Sequence, residues 1–177
     1  MIVLSGASAS GKTEVAKYLA SHYHIDKVIT TTTREMRNGE QNGKDYFFVN
    51  EETFKQMIED DKFVEYTFYN GNYYGSTKDQ IRSNCCIVID PVGLKAYVEI
   101  HDKNIVTFFL DALEDTRLMR MLERGDSKEK AEQRIINDRV AFKKENVAIV
   151  DYHVDSEHYD IAAVAAEIYR LYQEHFK

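Results

Sequence analysis

Gly6-Ala7-Ser8-Ala9-Ser10-Gly11-Lys12-Thr13 sets two glycines, a lysine and a hydroxyl in the order G-x-x-x-x-G-K-[ST]. Glycines at these positions let successive backbone N–H groups turn inward around a phosphate. A helix beginning there adds its positive end, Lys12 reaches the transferable phosphates, and the Thr13 hydroxyl is placed to ligate Mg²⁺. A chain of this length matches the pattern by chance about once in 200, so a triphosphate cradle is the expected reading. A second group follows at Arg34 and Arg37, three residues apart, with Tyr46 after them. Two guanidinium forks and a phenol can enclose one phosphate monoester. Glu65, Tyr74 and Ser76 add a carboxylate, a second phenol and a hydroxyl. A carboxylate accepting two adjacent N–H donors beside a hydroxyl donating to a carbonyl matches the guanine edge and opposes that of adenine. Asp90 closes an apolar run, where a carboxylate can orient Mg²⁺ or its waters or can cap the helix that Pro91 begins.

The elements that must hold these groups follow from periodicity. Ile2-Val3-Leu4 is a short apolar run, and Val15, Ala16, Leu19 and Ala20 repeat at helical spacing, which predicts strand, glycine-rich turn and helix. Val28 to Thr32 is expected as a second strand, residues 34 to 44 as a loop and Tyr46 to Val49 as extended chain. Glu51 to Asp60 reads as a helix capped by Asn50. Phe63 to Ser76, around Asn70-Gly71, reads as a hairpin. Cys85 to Ile89 and Ile105 to Leu110 have the continuous apolar character of parallel strands buried on both faces. Helices are expected after each, over Val92 to Ile100 and Thr116 to Leu122, then a charged and partly helical stretch to residue 146. A strand over Val147 to Val154 and an amphipathic helix over Ile161 to Tyr172 complete the chain. The alternation predicts an open α/β sheet with an antiparallel insertion.

Composition narrows the function. The 177 residues are 44% hydrophobic and 30% charged, the make-up of one globular domain. With no long apolar run and no basic leader pattern, we expect a cytoplasmic chain without a membrane partner. The net charge of −7 argues against a nucleic-acid partner, so an anionic ligand must be held by a local cationic cluster. Cys85 and Cys86 are adjacent in an apolar run and read as inert core thiols, and His22 and His24 as surface residues. Arg117, Arg120 and Arg139 read as a solvated helix face, and the aromatics Phe47, Phe48, Phe68, Tyr69 and Tyr73 as packing of the inserted sheet.

The stretch T-T-R-x-x-R-x-G-E-x-x-G-x-D-Y, then F-V-E-Y and G-N-Y-Y-G-S-T, all downstream of G-A-S-A-S-G-K-T, resembles guanylate kinase, tightly over about residues 1 to 95 and loosely beyond. The resemblance implies a P-loop kinase fold of α/β class: a parallel central sheet flanked by helices, a small antiparallel GMP-binding insertion and a mobile lid. It implies one domain, with its core at about 1–33, 81–122 and 140–177, the insertion at about 34–80 and the lid at about 123–139. The implied reaction is ATP + GMP giving ADP + GDP, with Mg²⁺, with GMP or dGMP as the small-molecule partner and no obligate protein partner. Carried over by residue, the GMP phosphate ligands are Arg34, Arg37, Tyr46 and Tyr74. The guanine readers are Glu65 and Ser76, with Thr30 where a serine commonly contributes. Gly6 to Thr13 hold ATP, Thr13 and Asp90 serve the metal, and Lys12, Arg124 and Arg134 bridge the phosphates. The chain departs from the pattern at Val88, where an aspartate is usual, at Val92, at Asp155, and by one residue fewer between Arg124 and Arg134. Two other readings of the same motifs are a non-catalytic binding module of guanylate-kinase type and a kinase for another phosphorylated acceptor. An N-K-x-D signature for a GTPase switch is absent from the sequence.

Overall fold

The computed structural model describes residues 1–69, 71–80 and 82–177. The expected hairpin turn at Asn70 therefore lies, at that residue, outside the described residues. Strand β1 (Ile2–Ser5) is fully buried and runs through the glycine-rich loop from Gly6 to Gly11 into helix α1 (Lys12–Tyr23). Strands β2 (Asp26–Lys27) and β3 (Thr31–Thr32) follow, then β4 (Phe47–Phe48), helix α2 (Glu51–Glu59), and the paired strands β5 (Phe63–Tyr69) and β6 (Asn72–Thr77). The second half holds β7 (Cys85–Val88), α3 (Pro91–Glu99), β8 (Val106–Asp111), α4 (Glu114–Glu123), α5 (Lys128–Ala141), β9 (Tyr152–Asp155) and α6 (Ile161–Glu174).

Five strands form one sheet in the order β2-β7-β1-β8-β9, and every pair in it is parallel. Burial on both faces explains the unbroken apolar runs. Ile2, Leu4, Phe108 and Leu110 pack with Val15, Leu19, Val164 and Ile168 of α1 and α6 on one side. Val3 and Ile87 pack with Leu94 and Tyr97 of α3 on the other. Tyr172 reaches back from α6, and its hydroxyl accepts from the Met1 amino group at 2.8 Å.

The second sheet runs β4-β3-β6-β5 and is antiparallel apart from the β3–β4 pair. Phe54 of α2 stacks on Phe63 at 4.5 Å and on Tyr73 at 5.3 Å, giving this sheet an aromatic core of its own. Of the aromatics expected as packing, Tyr73 joins this core and Phe68 meets it edge-on at 4.8 Å, but Phe68 and Phe47 stay exposed and the Tyr69 hydroxyl bonds to Asp138.

Two expectations change. The stretch from Val28 to Thr32 is not one strand, because Val28 bonds back to Cys86 whereas Thr31 and Thr32 pair with Gly75 and Tyr74. The chain changes sheets between them. The last strand begins at Tyr152 instead of Val147, since β9 meets its partner only from Phe108 onward, while Val147, Ala148 and Val150 pack on the α3 side of the core. The thiol expectation agrees with the structure: Cys85 and Cys86 are buried and free, and burial pushes both thiols up from their ordinary range.

Candidate active site

The phosphate loop turns at Gly6, whose φ of 145° and whose closeness to Leu110 leave no room for a side chain. A Cβ there would lie 2.7 Å from the Leu110 carbonyl oxygen and 2.8 Å from Ser10 Oγ. Gly11 precedes α1, and no side chain caps the helix. Its first N–H groups are left for an anion. The Lys12 amine donates to the Ala7 carbonyl at 2.7 Å and to Ser10 Oγ at 3.4 Å. Desolvation lowers its pKa to about 8, against the raising effect of Asp138, and Arg117, Arg124 and Arg134 lower it further. A lysine so placed gains its full charge from an incoming phosphate.

One cavity brings together Gly6, Lys12, Thr30, Arg34, Glu65 and Asp90. Ser8, Ala9, Thr13, Arg37, Tyr46 and Tyr74 belong to the same wall, and Arg124 and Arg134 reach it from the charged segment. Of the residues expected from sequence, Ala7, Ser10, Gly11 and Ser76 are set back from this wall. Ser76 is wholly buried behind Glu65. Its hydroxyl donates to Glu65 Oε1 at 2.7 Å and meets the Tyr97 hydroxyl at 3.0 Å, while its N–H donates to the same Oε1 at 3.2 Å. These bonds hold one carboxylate oxygen, and Oε2 accepts no hydrogen bond among the described residues.

Burial pushes the Glu65 carboxyl up to about 7, and nearby Asp90 adds to the rise while the two bonds from Ser76 oppose it. The floor below Glu65 is Gly93, where an added Cβ would sit 3.1 Å from Glu65 Oε2. Gly93→Ala is therefore expected to displace this carboxylate and raise the KM for the acceptor about tenfold with little change in kcat. Initial-rate kinetics over acceptor concentration check this, and an unchanged KM would contradict it.

Arg34 is set by four neighbours before any ligand arrives, and its Nη1 donates to the Glu35 carbonyl at 2.6 Å. Its Nη2 donates to Glu40 Oε1 at 2.7 Å and Oε2 at 2.9 Å, and its guanidinium lies over the Tyr46 and Phe48 rings at 5.2 and 5.6 Å. Glu40 also accepts the Arg37 N–H at 2.7 Å. Arg37 carries no such carboxylate pair among the described residues; desolvation and the cations Arg134, Arg34 and Arg124 lower its pKa. An anion between Arg34 and Arg37 relieves that repulsion. The Arg-x-x-Arg spacing makes both arginines legible, but the role of Glu40 in aiming one of them is not visible without the fold.

Asp90 takes the second of its two sequence readings in part. Its Oδ1 accepts the Gly93 N–H at 2.8 Å and caps α3, yet the residue lines the cavity with Thr13. The donor set suits Mg²⁺. That ion takes hard oxygen ligands, keeps several waters and uses one or two protein groups together with substrate phosphates. A hydroxyl and a carboxylate on one wall beside a phosphate cradle are such groups.

The arginines read as solvated need revision for two of three. Arg117 is 4% exposed and donates to Asp138 Oδ2 at 2.7 Å, and Arg120 donates to the Ala9 carbonyl at 3.3 Å and the Ser156 carbonyl at 2.8 Å. Both brace the phosphate loop. Their signal was helical phase: Arg117 lies four residues before the buried Met121 and so on the inward face of α4. Arg139 does stay on the surface, paired with Glu114 at 2.7 Å.

The family model described as guanylate kinase matches residues 1–168. A guanylate kinase of Anaplasma phagocytophilum is 31% identical over 178 residues, spanning 95% of this chain and 83% of that protein. A guanylate kinase of Fusobacterium nucleatum is 43% identical over 81 residues, which span 46% of this chain and 44% of that one. Among solved structures, a guanylate kinase from Anaplasma phagocytophilum superposes with a TM-score of 0.74 at 26% identity, covering all of this chain and 86% of the other.

Proposed function

Because the chain belongs to the guanylate kinase family, we propose that it is a nucleoside monophosphate kinase that moves the γ-phosphoryl group of ATP onto a phosphate oxygen of GMP, giving ADP and GDP. The observation that carries this reading is the single cavity in which Lys12, the arginines 34, 37, 124 and 134, and Glu65 face one another. Phosphates of donor and acceptor repel, and the five cations that line the cavity, Lys12, Arg34, Arg37, Arg124 and Arg134, offset that repulsion.

The acceptor phosphate sits between Arg34 and Arg37, with the Tyr46 and Tyr74 hydroxyls at its edge. Glu65 takes the N1–H and N2–H₂ donors of guanine, Ser76 holds Glu65 in place, and Thr30 completes that wall. The donor lies on the loop from Gly6 to Thr13. Thr13 and Asp90 would hold Mg²⁺, which when bound neutralises β- and γ-phosphate charge. Lys12, Arg124 and Arg134 meet the charge that develops as the phosphoryl group passes between oxygens. The GMP oxygen is nucleophilic near neutral pH, so no general base is needed. Closure of the second sheet and α5 toward each other over the cavity excludes water that would otherwise take the phosphoryl group.

Coupled measurement of ADP release with GMP, dGMP, AMP, UMP and sugar phosphates tests the assignment. GMP and dGMP are expected to be used, with AMP poorer by about 10³-fold or more. Equal use of AMP or of a sugar phosphate would overturn it.

The two shifted groups set a pH window. Glu65 must be ionised to accept guanine's donors, and its carboxyl titrates at about 7 in the free protein, so GMP binding weakens as pH falls below 7. Lys12 must be charged to meet the donor phosphates, and it titrates at about 8, so ATP binding weakens as pH rises above 8. The kcat/KM for GMP is expected to fall up to about tenfold per pH unit on the acid side, and that for ATP likewise on the alkaline side. Profiles of the two constants flat between pH 6 and 9 would contradict both assignments.

A further inference from the structure

Asp138 lies near the end of α5, 1% exposed, and its two oxygens receive four donors. Oδ2 accepts the Ser8 N–H at 2.8 Å and Arg117 Nη1 at 2.7 Å. Oδ1 accepts the Ser8 hydroxyl at 3.1 Å and the Tyr69 hydroxyl at 2.9 Å. Four donors use the whole accepting capacity of a carboxylate. Their origins differ. Ser8 belongs to the phosphate loop, Arg117 to α4 beneath it, and Tyr69 ends β5 of the second sheet. The helix bearing Asp138 also bears Arg134, one turn earlier, on the cavity wall. One buried carboxylate thus ties the donor loop, the acceptor sheet and the arginine-bearing helix at a single point. Any hinge that opens the acceptor sheet away from α5 must break the bond from Tyr69, whereas the bonds from Ser8 and Arg117 can persist.

We propose that the Tyr69 hydroxyl and the Asp138 carboxylate form a closure latch, in which Asp138 is a positioning residue that couples acceptor binding on the second sheet to the placement of Arg134 over the donor. The inference rests on the kinase reading given above and adds to it how the two substrate sites are linked. Its energetic content is a difference between open and closed states: a contact made only on closure raises the affinity of each substrate in the presence of the other by the same factor. A hydrogen bond to a buried charge is strong enough to supply a coupling in the usual range of about 5- to 150-fold.

Calorimetric titration with a non-hydrolysable ATP analogue and Mg²⁺, without and with saturating GMP, measures that factor. In the parent protein GMP is expected to tighten the analogue. Tyr69→Phe, which leaves the Arg117 pair intact, is expected to lose about 5- to 10-fold of the tightening while the affinity for each nucleotide alone stays within about twofold. Adding Tyr69→Phe to Asp138→Asn should then lower the coupling no further. A tyrosine that only packs would weaken the single-nucleotide complexes and leave their ratio alone. Full tightening retained in Tyr69→Phe overturns the latch, and that variant decides the matter even where Asp138→Asn, by stranding Arg117, fails to fold. A parent protein that releases no ADP with GMP defeats the assigned reaction and the latch with it; turnover in the parent with undiminished coupling in Tyr69→Phe defeats the latch alone.

Discussion

Lys12→Ala is expected to lower kcat by about 10³-fold while GMP affinity stays within about twofold. Removal of one preorganised electrostatic partner of a developing charge costs about 10²- to 10³-fold in rate, and a cation on a transferring phosphoryl group lies at the upper end. The amine has a second property that separates this loss from unfolding. In the free protein it is desolvated, its pKa is drawn down to about 8, and its partners are the Ala7 carbonyl and Ser10 Oγ of its own loop. Its removal therefore takes away a group that the fold holds at some electrostatic expense, so the melting temperature should not fall. The groups proposed to hold the acceptor, Arg34, Arg37 and Glu65, are not among the hydrogen-bond partners of Lys12 in the described residues, so calorimetric binding of GMP should survive. Coupled ADP release, thermal melting and GMP titration on one preparation give the three readings. A variant within tenfold of the parent in kcat would remove Lys12 from the transfer step.

The glycine-rich turn between β1 and α1 was legible from sequence because its signal is local: eight consecutive residues hold the glycines, the lysine and the hydroxyl, and strand and helix periodicity on either side place them. The Arg34 and Arg37 pair was legible for the same reason. What sequence did not show lies where two distant segments meet. Charge density suggests exposure for Arg117 and for the stretch that holds Asp138, yet both residues are buried. Helical phase contradicts that impression, since Arg117 shares a face with Met121, and Asp138 falls on the face of Ala131 and Ile135. Two helices joined by a short turn bring those faces together, so the opposite charges meet inside. The division of the stretch from Val28 to Thr32 between two sheets was hidden for a related reason. β-branched residues favour extended chain without naming a partner, and the change of partner depends on Cys86 and Gly75, which are far away in sequence.

Glu65→Gln is expected to reduce kcat/KM for GMP by about 10³-fold while changing the small activity with AMP by less than tenfold. The substitution keeps shape and volume, and the amide oxygen can still accept the Ser76 hydroxyl and N–H that now hold Oε1. What changes is Oε2. In the parent this oxygen has no hydrogen bond to it among the described residues, and under the proposed function it completes an acceptor pair for adjacent N–H groups of the base. In the variant an NH₂ group stands there and opposes the guanine donors. A site built for polar pairing loses about 10⁴ or more when the pairing is wholly mismatched, and one retained acceptor leaves part of it. Stability should move in the other direction. A carboxyl held at about 7 binds protons more readily in the folded chain than in the unfolded one, so its ionised form weakens the fold above that pH. At pH 8 the neutral amide removes this burden, and the variant should melt no lower than the parent. The pH profile supplies the last link: the acid-side fall in kcat/KM for GMP should vanish in Glu65→Gln, because the group whose protonation caused it is gone. Persistence of that limb in the variant would assign the titration to another group and remove Glu65 from guanine recognition.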